Sequence, residues 1–301
     1  MLISRNMRVN AGDKIVSWAF ILPVIIILAI TAFIPLGYGL FLSFHKFQLN
    51  IPNSKPIFIG LSNYFEFIKD ELFLKSVSNN IIFAICSVTL EMIFGITIAM
   101  ILSEDTKISR YWVTIILIPL IIAPVVAGTL WRMMLDSTYG VVNYFIELLG
   151  FVKIRWLGDP KIALFSVILV DFWKFTPYVA ILIISSVKAL PRSFMDSAKI
   201  DGASPWKLFY YIVLPIISPV IIIVVMIRFI DAFKVFDLVF VMTGGGPGNA
   251  TEVIPTYIYR TGIKYFRVGF ASSLAILFII VMFIISGIFI RLRTIQLKRL
   301  G

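Results

Sequence analysis

Asp171, Trp173 and Lys174 lie in one strongly apolar stretch of this chain, and Arg228 and Asp231 lie in another. Ionisable groups in such surroundings cost at least about 2.5–3.5 kcal/mol each on insertion scales, so each is expected to face a partner or a polar cavity. Asp171 and Lys174 are three positions apart, as are Arg228 and Asp231, a spacing that brings opposite charges together along one helix face. Glu91 and Arg132 are further candidates, with Arg132 close enough to an outer surface to reach water. Two readings stand open. In one, the five residues line a polar path through a helical bundle. Charged groups would hydrogen-bond the hydroxyls of a passing solute there, and Trp173 would offer a flat apolar face to a ring. In the other, the charges are ion pairs that lock helices together or face a second subunit.

Catalytic chemistry is not expected. The chain shows neither a His/Asp/Ser grouping nor metal-ligand spacing. His45 is the one histidine and would need further ligands to hold a metal. Cys86 is the one cysteine, so it forms no intrachain disulfide and reads as a small lipid- or helix-facing residue. The glycine run from Thr243 to Thr251 lacks the Gly-Lys-Ser/Thr ending of a phosphate-binding loop, and no other segment supplies it. Any dependence on ATP must therefore come from a partner, and the glycine run reads as a flexible outer loop. Asn249-Ala-Thr251 matches a glycosylation acceptor only formally.

The elements that must position these residues follow from composition. At 60% hydrophobic residues in 301, with a mean hydropathy of +0.99, the chain is too apolar to be a soluble domain, and its solvent is lipid. Six runs are long enough as helices to cross about 30 Å of hydrocarbon: approximately 16–41, 80–102, 112–134, 162–187, 212–233 and 270–290. Pro119 and Pro124 predict a kink in the third. The first run is too long for a signal-peptide core and reads as a retained span.

With the N-terminus inside, the inner segments carry 13 Lys/Arg in 56 residues and the outer ones 10 in 94. That bias predicts that both termini are cytoplasmic. The net charge of +11 is dispersed over loops, so no nucleic-acid partner is expected. The C-terminal tail from Arg291 interleaves leucine and isoleucine with four basic residues and is expected to lie along the inner membrane surface.

One inner segment is distinctive. From Leu190 to Pro219 the chain reads LPRSFMDSAKIDGASPWKLFYYIVLPIISP, polar and basic between two apolar runs. Ser193 and Asp196 fit a capping box at the start of a short helix spanning about 193–203. Ala198 and Gly202 leave one face of that helix nearly bare. Gly202 can end it, and Ser204-Pro205 then reads as the N-cap and first turn of the next helix.

This segment resembles the cytoplasmic coupling motif of binding-protein-dependent ABC importer permeases, with Asp196, Ser197, Ala198, Asp201, Gly202, Ala203, Leu214 and Pro215 at the matching positions. The family usually has Glu and Ala where this chain has Asp196 and Ser197. Phe58-Ile-Gly-Leu-Ser-Asn-Tyr64, the Thr243-Gly-Gly-Gly-Pro247 run and Arg267-Val-Gly-Phe270 resemble outer-loop stretches of the sugar branch, specifically its first permease subunit in maltose-type and glycerol-phosphate-type systems.

The resemblance implies a type I ABC importer transmembrane fold. By that resemblance the chain would be an all-α membrane protein of six helices in a single permease domain, residing in a prokaryotic plasma membrane. The resemblance further implies four kinds of partner besides lipid: a second related permease, two ATPase subunits that bind ATP and Mg, an external sugar-binding protein, and the sugar it delivers. Asp196 and Gly202 would contact the ATPase. The rival is a secondary transporter driven by an ion gradient, which would account for the intramembrane charges but not for the cytoplasmic elbow.

Overall fold

The computed structural model describes residues 11–104, 106–191, 193, 202 and 204–300. Among these, the only strands are a two-residue antiparallel pair, β1 (His45–Lys46) and β2 (Ile57–Phe58), with His45 opposite Phe58. Everything else with regular structure is helical.

Among the described residues, five helices are long and apolar enough to cross a bilayer, and a bent pair adds a sixth when its halves are counted as one span. The first span covers Trp18–Ser43, the second Glu71–Leu102, the fourth Ala163–Lys188, the fifth Trp206–Met242 and the sixth Val268–Lys298. The bent pair, Lys107–Ile121 with Pro124–Met134, occupies the place of the third span.

Several boundaries differ from those read in the sequence, each for a local reason. The second span begins at Glu71 because Asp70 caps it, its carboxylate accepting from the amides of Leu72 (2.8 Å) and Phe73 (3.1 Å). Its 32 residues make a helix about 48 Å long, well beyond the hydrocarbon thickness of about 30 Å. The third span is broken rather than merely kinked, with 92° between its halves. Pro124 has no amide to donate and pushes Ala123 into an extended conformation (ψ 142°), and Ile122 is extended as well (ψ 129°). The C-terminal tail, expected to lie along the membrane surface, instead continues the sixth span in one unbroken helix, Val268–Leu300. No proline interrupts this helix, and Gln296 Nε2 donates to Ser218 Oγ at 2.9 Å, tying the extension to the fifth span.

Wide π-type turns occur at Ala29–Phe33 and Phe209–Val213, just ahead of Pro35 and Pro215 respectively. A proline ring clashes with the carbonyl four residues back, and a widened turn relieves that clash without ending the helix.

The chain forms two compact units: the segment up to Glu66 with Thr261–Leu277, and Phe67–Arg260 with Phe278–Gly301. In the first unit, side chains from the FIGLSNY stretch hold the end of the first span. Asn63 donates to the carbonyls of Ser43 (2.8 Å) and His45 (3.1 Å), and the Tyr64 hydroxyl donates to Ser43 Oγ (2.8 Å). Arg267 reaches Glu66 at 2.5 Å and lies over the Phe270 ring. Upstream, the apolar side chains from Trp18 to Phe41 are almost all exposed.

In the second unit the second and fourth spans pack along much of their length. A Cβ on Gly95 would stand only 2.6 Å from Val179 Cγ1, so a side chain there would force the helices apart. Phe83, Val88, Val167, Val179, Ile183, Val213, Ile217, Val224 and Leu238 make a continuous buried core across the second, fourth and fifth spans.

Candidate functional site

Within that core the fifth span brings Arg228 against two carboxylates on two other helices. Arg228 Nε donates to Glu91 Oε2 at 2.7 Å and Nη2 to Glu91 Oε1 at 2.9 Å, a bidentate pair. Nη2 also reaches Asp171 Oδ2 at 3.3 Å. The guanidinium lies over the Phe175 ring, 3.8 Å from its centroid. All three ionic side chains are at most 3% exposed, so the contacts are made without competing water. Together with Lys174 the cluster holds two acids and two bases, which is formally neutral when all are ionised.

Asp171 and Lys174 were expected to pair along the fourth span, and they do not. Asp171 turns to Arg228. Lys174, only 2% exposed, sends its ammonium to the break in the third span, where Nζ hydrogen-bonds the Ile122 carbonyl and lies 3.5 Å from those of Pro119 and Leu120. Carbonyls at a broken helix end offer acceptors to an ammonium, and here they lie within its reach while the Asp171 carboxylate is held by Arg228. The Arg228–Asp231 pair does form, but loosely at 3.9 Å. Asp231 is about half exposed and stands closer to Lys234, at 3.3 Å. Trp173 is half-buried and meets Trp131 of the third span edge-on, with 5.4 Å between ring centroids.

The structure thus joins Asp171 and Arg228 with Glu91 in one buried network, sets Lys174 beside it against the third span, and leaves Trp173 and Asp231 at its margin. Spacing within a helix could not find Glu91 as Arg228's main partner, because the two lie 137 residues apart. The only sequence signal was a solitary acid inside an apolar run.

Of the elbow residues, Asp196, Ser197, Ala198, Asp201 and Ala203 fall outside the described residues. Ser193 and Gly202 are exposed. Gly202 sits in a turn with φ +73°, a left-handed conformation that glycine adopts at no steric cost. Beyond it the expected cap is present: Ser204 Oγ accepts from the Lys207 amide at 3.4 Å, and helix begins at Pro205.

The glycine run is not the loose loop its composition suggested. Arg260 pairs with the buried Glu252 carboxylate and donates to Asn249 Oδ1 (2.8 Å) and to the Gly244 carbonyl (2.9 Å). Thr251, fully buried, donates to the Gly246 carbonyl (2.8 Å). Asn79 and Asn80 of the second span bond the Glu252 carbonyl (2.9 Å) and the Ile254 amide (3.2 Å). The glycines supply left-handed turns at 244, 245 and 248, and the polar side chains hold those turns in place.

With the end of Pro124–Met134 and residues 155–158, this loop walls a cleft of about 350 Å³ that Arg132, Asp136, Arg155, Trp156, Thr243 and Pro247 line. The Asp136 carboxylate accepts from the amides of Tyr139 and Thr138, and those bonds hold its pKa below the ordinary value.

Comparison with known proteins gives a consistent result. Residues 80–299 match the family model described as "Binding-protein-dependent transport system inner membrane component". A probable ABC transporter permease protein of Sinorhizobium fredii, y4oQ, is 33% identical over 95% of this chain and 91% of its own length. The trehalose/maltose transport system permease protein MalF of Thermococcus litoralis is 34% identical over 84% and 83%. Among solved structures, a chain of a bacterial ABC transporter involved in the import of the acidic polysaccharide alginate superposes with a TM-score of 0.83 at 24% identity. That match covers 94% of this chain and 96% of the other, and it is a likeness of fold.

Proposed function

Because this chain belongs to the family of binding-protein-dependent transport system inner membrane components, we propose that it is the permease subunit of an ATP-driven sugar importer. The observation that carries this reading is the family match over residues 80–299, supported by relatives named as trehalose/maltose and sulfoquinovosyl glycerol permeases at comparable length. The whole chain acts as one permease domain in a prokaryotic plasma membrane, with both termini and the elbow on the cytoplasmic side. A second permease completes the path, two ATPase subunits bind ATP and Mg, and an external binding protein delivers a sugar.

The elbow at 193–203 docks on an ATPase, with Asp196 and Gly202 at the contact, the small Ser197, Ala198 and Ala203 letting the surfaces approach, and Asp201 completing the coupling motif. Nucleotide-driven closure then biases the bundle between outward- and inward-facing states, each stabilised by contacts made in only one of them. Among the five candidate residues, Asp231 and Trp173 retain exposure and in this reading face the path. Arg228, Asp171 and Lys174 have their hydrogen-bonding capacity taken up inside this chain, and they support the path by holding its walls.

Uptake measured in vesicles holding the whole complex tests the reading: vanadate should abolish it and a protonophore should leave it unchanged. Gradient sensitivity with indifference to vanadate would instead establish the secondary transporter. Binding of the external receptor to a sugar panel would name the cargo.

A further inference from the structure

The break in the third span creates a definite problem. Pro124 has no amide hydrogen to return to the Leu120 carbonyl, and the extended residues Ile122 and Ala123 carry the following amides out of reach of the Pro119 and Ile122 carbonyls. The carbonyl oxygens of residues 119–122 are left at one helix end, within a segment apolar enough to lie in lipid, and three of them, those of Pro119, Leu120 and Ile122, face one buried group. Lys174 is the buried side chain aimed at all three, and an ammonium has three donors to give. The helix that carries it is also tied to its neighbours. Asp171, one turn earlier on the same helix, is bound to Arg228, and Arg228 is bound to Glu91.

We propose that Lys174 is a positioning residue that replaces the missing amides at the break, so that the third span is a fixed elbow travelling rigidly with the fourth span rather than a hinge. The right angle then has a purpose. It carries Pro124–Met134 back toward the glycine-rich loop, where Arg132 donates to the Val241 carbonyl at 3.1 Å and joins the lining of the cleft. A soft break would let that half-helix swing independently of the fourth span. A pinned one transmits any rotation of the fourth span directly to the cleft wall. That consequence rests on the permease reading; the pin itself does not.

Two spin labels test it, one replacing Ile108 and one replacing Met133. Both sites are well exposed (71% and 68%) on opposite sides of the break, and Cys86→Ser removes the native thiol. In nanodiscs, electron–electron double resonance on the assembled complex should give one narrow distance distribution, the same without nucleotide and with ATP plus vanadate. Lys174→Met should broaden or shift it, and Lys174→Arg should restore it. If Lys174→Met does not insert, Lys174→Gln, which keeps donors but loses charge and reach, should broaden it to a lesser degree. A distribution in Lys174→Met that matches the parent overturns the pin, as would a match in Lys174→Gln where only that variant inserts. A parent distance that changes with nucleotide overturns the fixed elbow. The Lys174→Met comparison can also be made on the chain alone. A failure to assemble with ATPases would therefore count against the permease reading and leave the pin to be judged by the lone-chain distances.

Discussion

Arg228 shows how unequal the consequences of single substitutions should be in a dry ionic cluster. Arg228→Met leaves Glu91 and Asp171 as unpaired buried carboxylates, and a loss of about 3–5 kcal/mol is expected in detergent unfolding. The triple change Glu91→Gln, Asp171→Asn and Arg228→Met should recover part of that loss, since both carboxylates lose their charge together with the guanidinium and only Lys174, hydrogen-bonded to backbone carbonyls, stays ionised. A second prediction separates neighbours that looked like partners. Asp171 and Lys174 meet different groups, so the charge reversals Asp171→Lys and Lys174→Asp should damage folding or uptake additively, with no rescue in the double swap. The third concerns acid. Amides of Thr138 and Tyr139 depress the Asp136 pKa, so their contribution to the order of this turn is present above the unfolded value near about 3.9. It is lost as pH falls through the lower folded value. Acid-induced loosening of residues 136–140, followed by hydrogen exchange, should disappear in Asp136→Asn. The residues that matter were visible as types in the sequence, but their pairings were not, because Glu91, Asp171 and Arg228 come from three helices far apart along the chain.

At the scale of elements, the prolines were the readable part. Pro119 and Pro124 announced a disturbed third span, yet its 92° angle depends on a lysine from a different helix and on packing that no local pattern encodes. The early start of the second span was less legible. It hinges on Asp70, whose carboxylate serves both the cap and the Tyr257 hydroxyl, the latter at 2.6 Å. Asp70→Ala should therefore cost about 0.5–2 kcal/mol as a lost cap, with additional loss because Tyr257 surrenders its acceptor. Tyr257→Phe should cost less, and the comparison by thermal unfolding would apportion the two roles. The glycine run misled for a related reason: its composition reports backbone freedom, whereas its order comes from Arg260, Glu252, Asn79 and Asn80.

At the scale of the whole molecule, the proposed function requires that events at the elbow reach the bundle. Gly202, at φ +73°, tolerates no ordinary side chain without strain, so Gly202→Leu should uncouple ATP hydrolysis from uptake while the chain still inserts and assembles. Normal uptake by that variant, measured in vesicles, would remove Gly202 from the ATPase contact. The sequence alone determined that the chain lives in lipid, which segments are apolar enough to cross it, where prolines interrupt them, and which family its motifs resemble. These are properties of composition and short-range spacing, which every residue carries with it into any fold. Only the tertiary structure decided that Arg228 binds Glu91 instead of relying on its neighbour Asp231, that Lys174 caps a broken helix instead of pairing with Asp171, and that a glycine-rich loop is held in order. Those outcomes depend on which helices lie side by side, and a buried polar group takes whichever partner packing brings within hydrogen-bond reach.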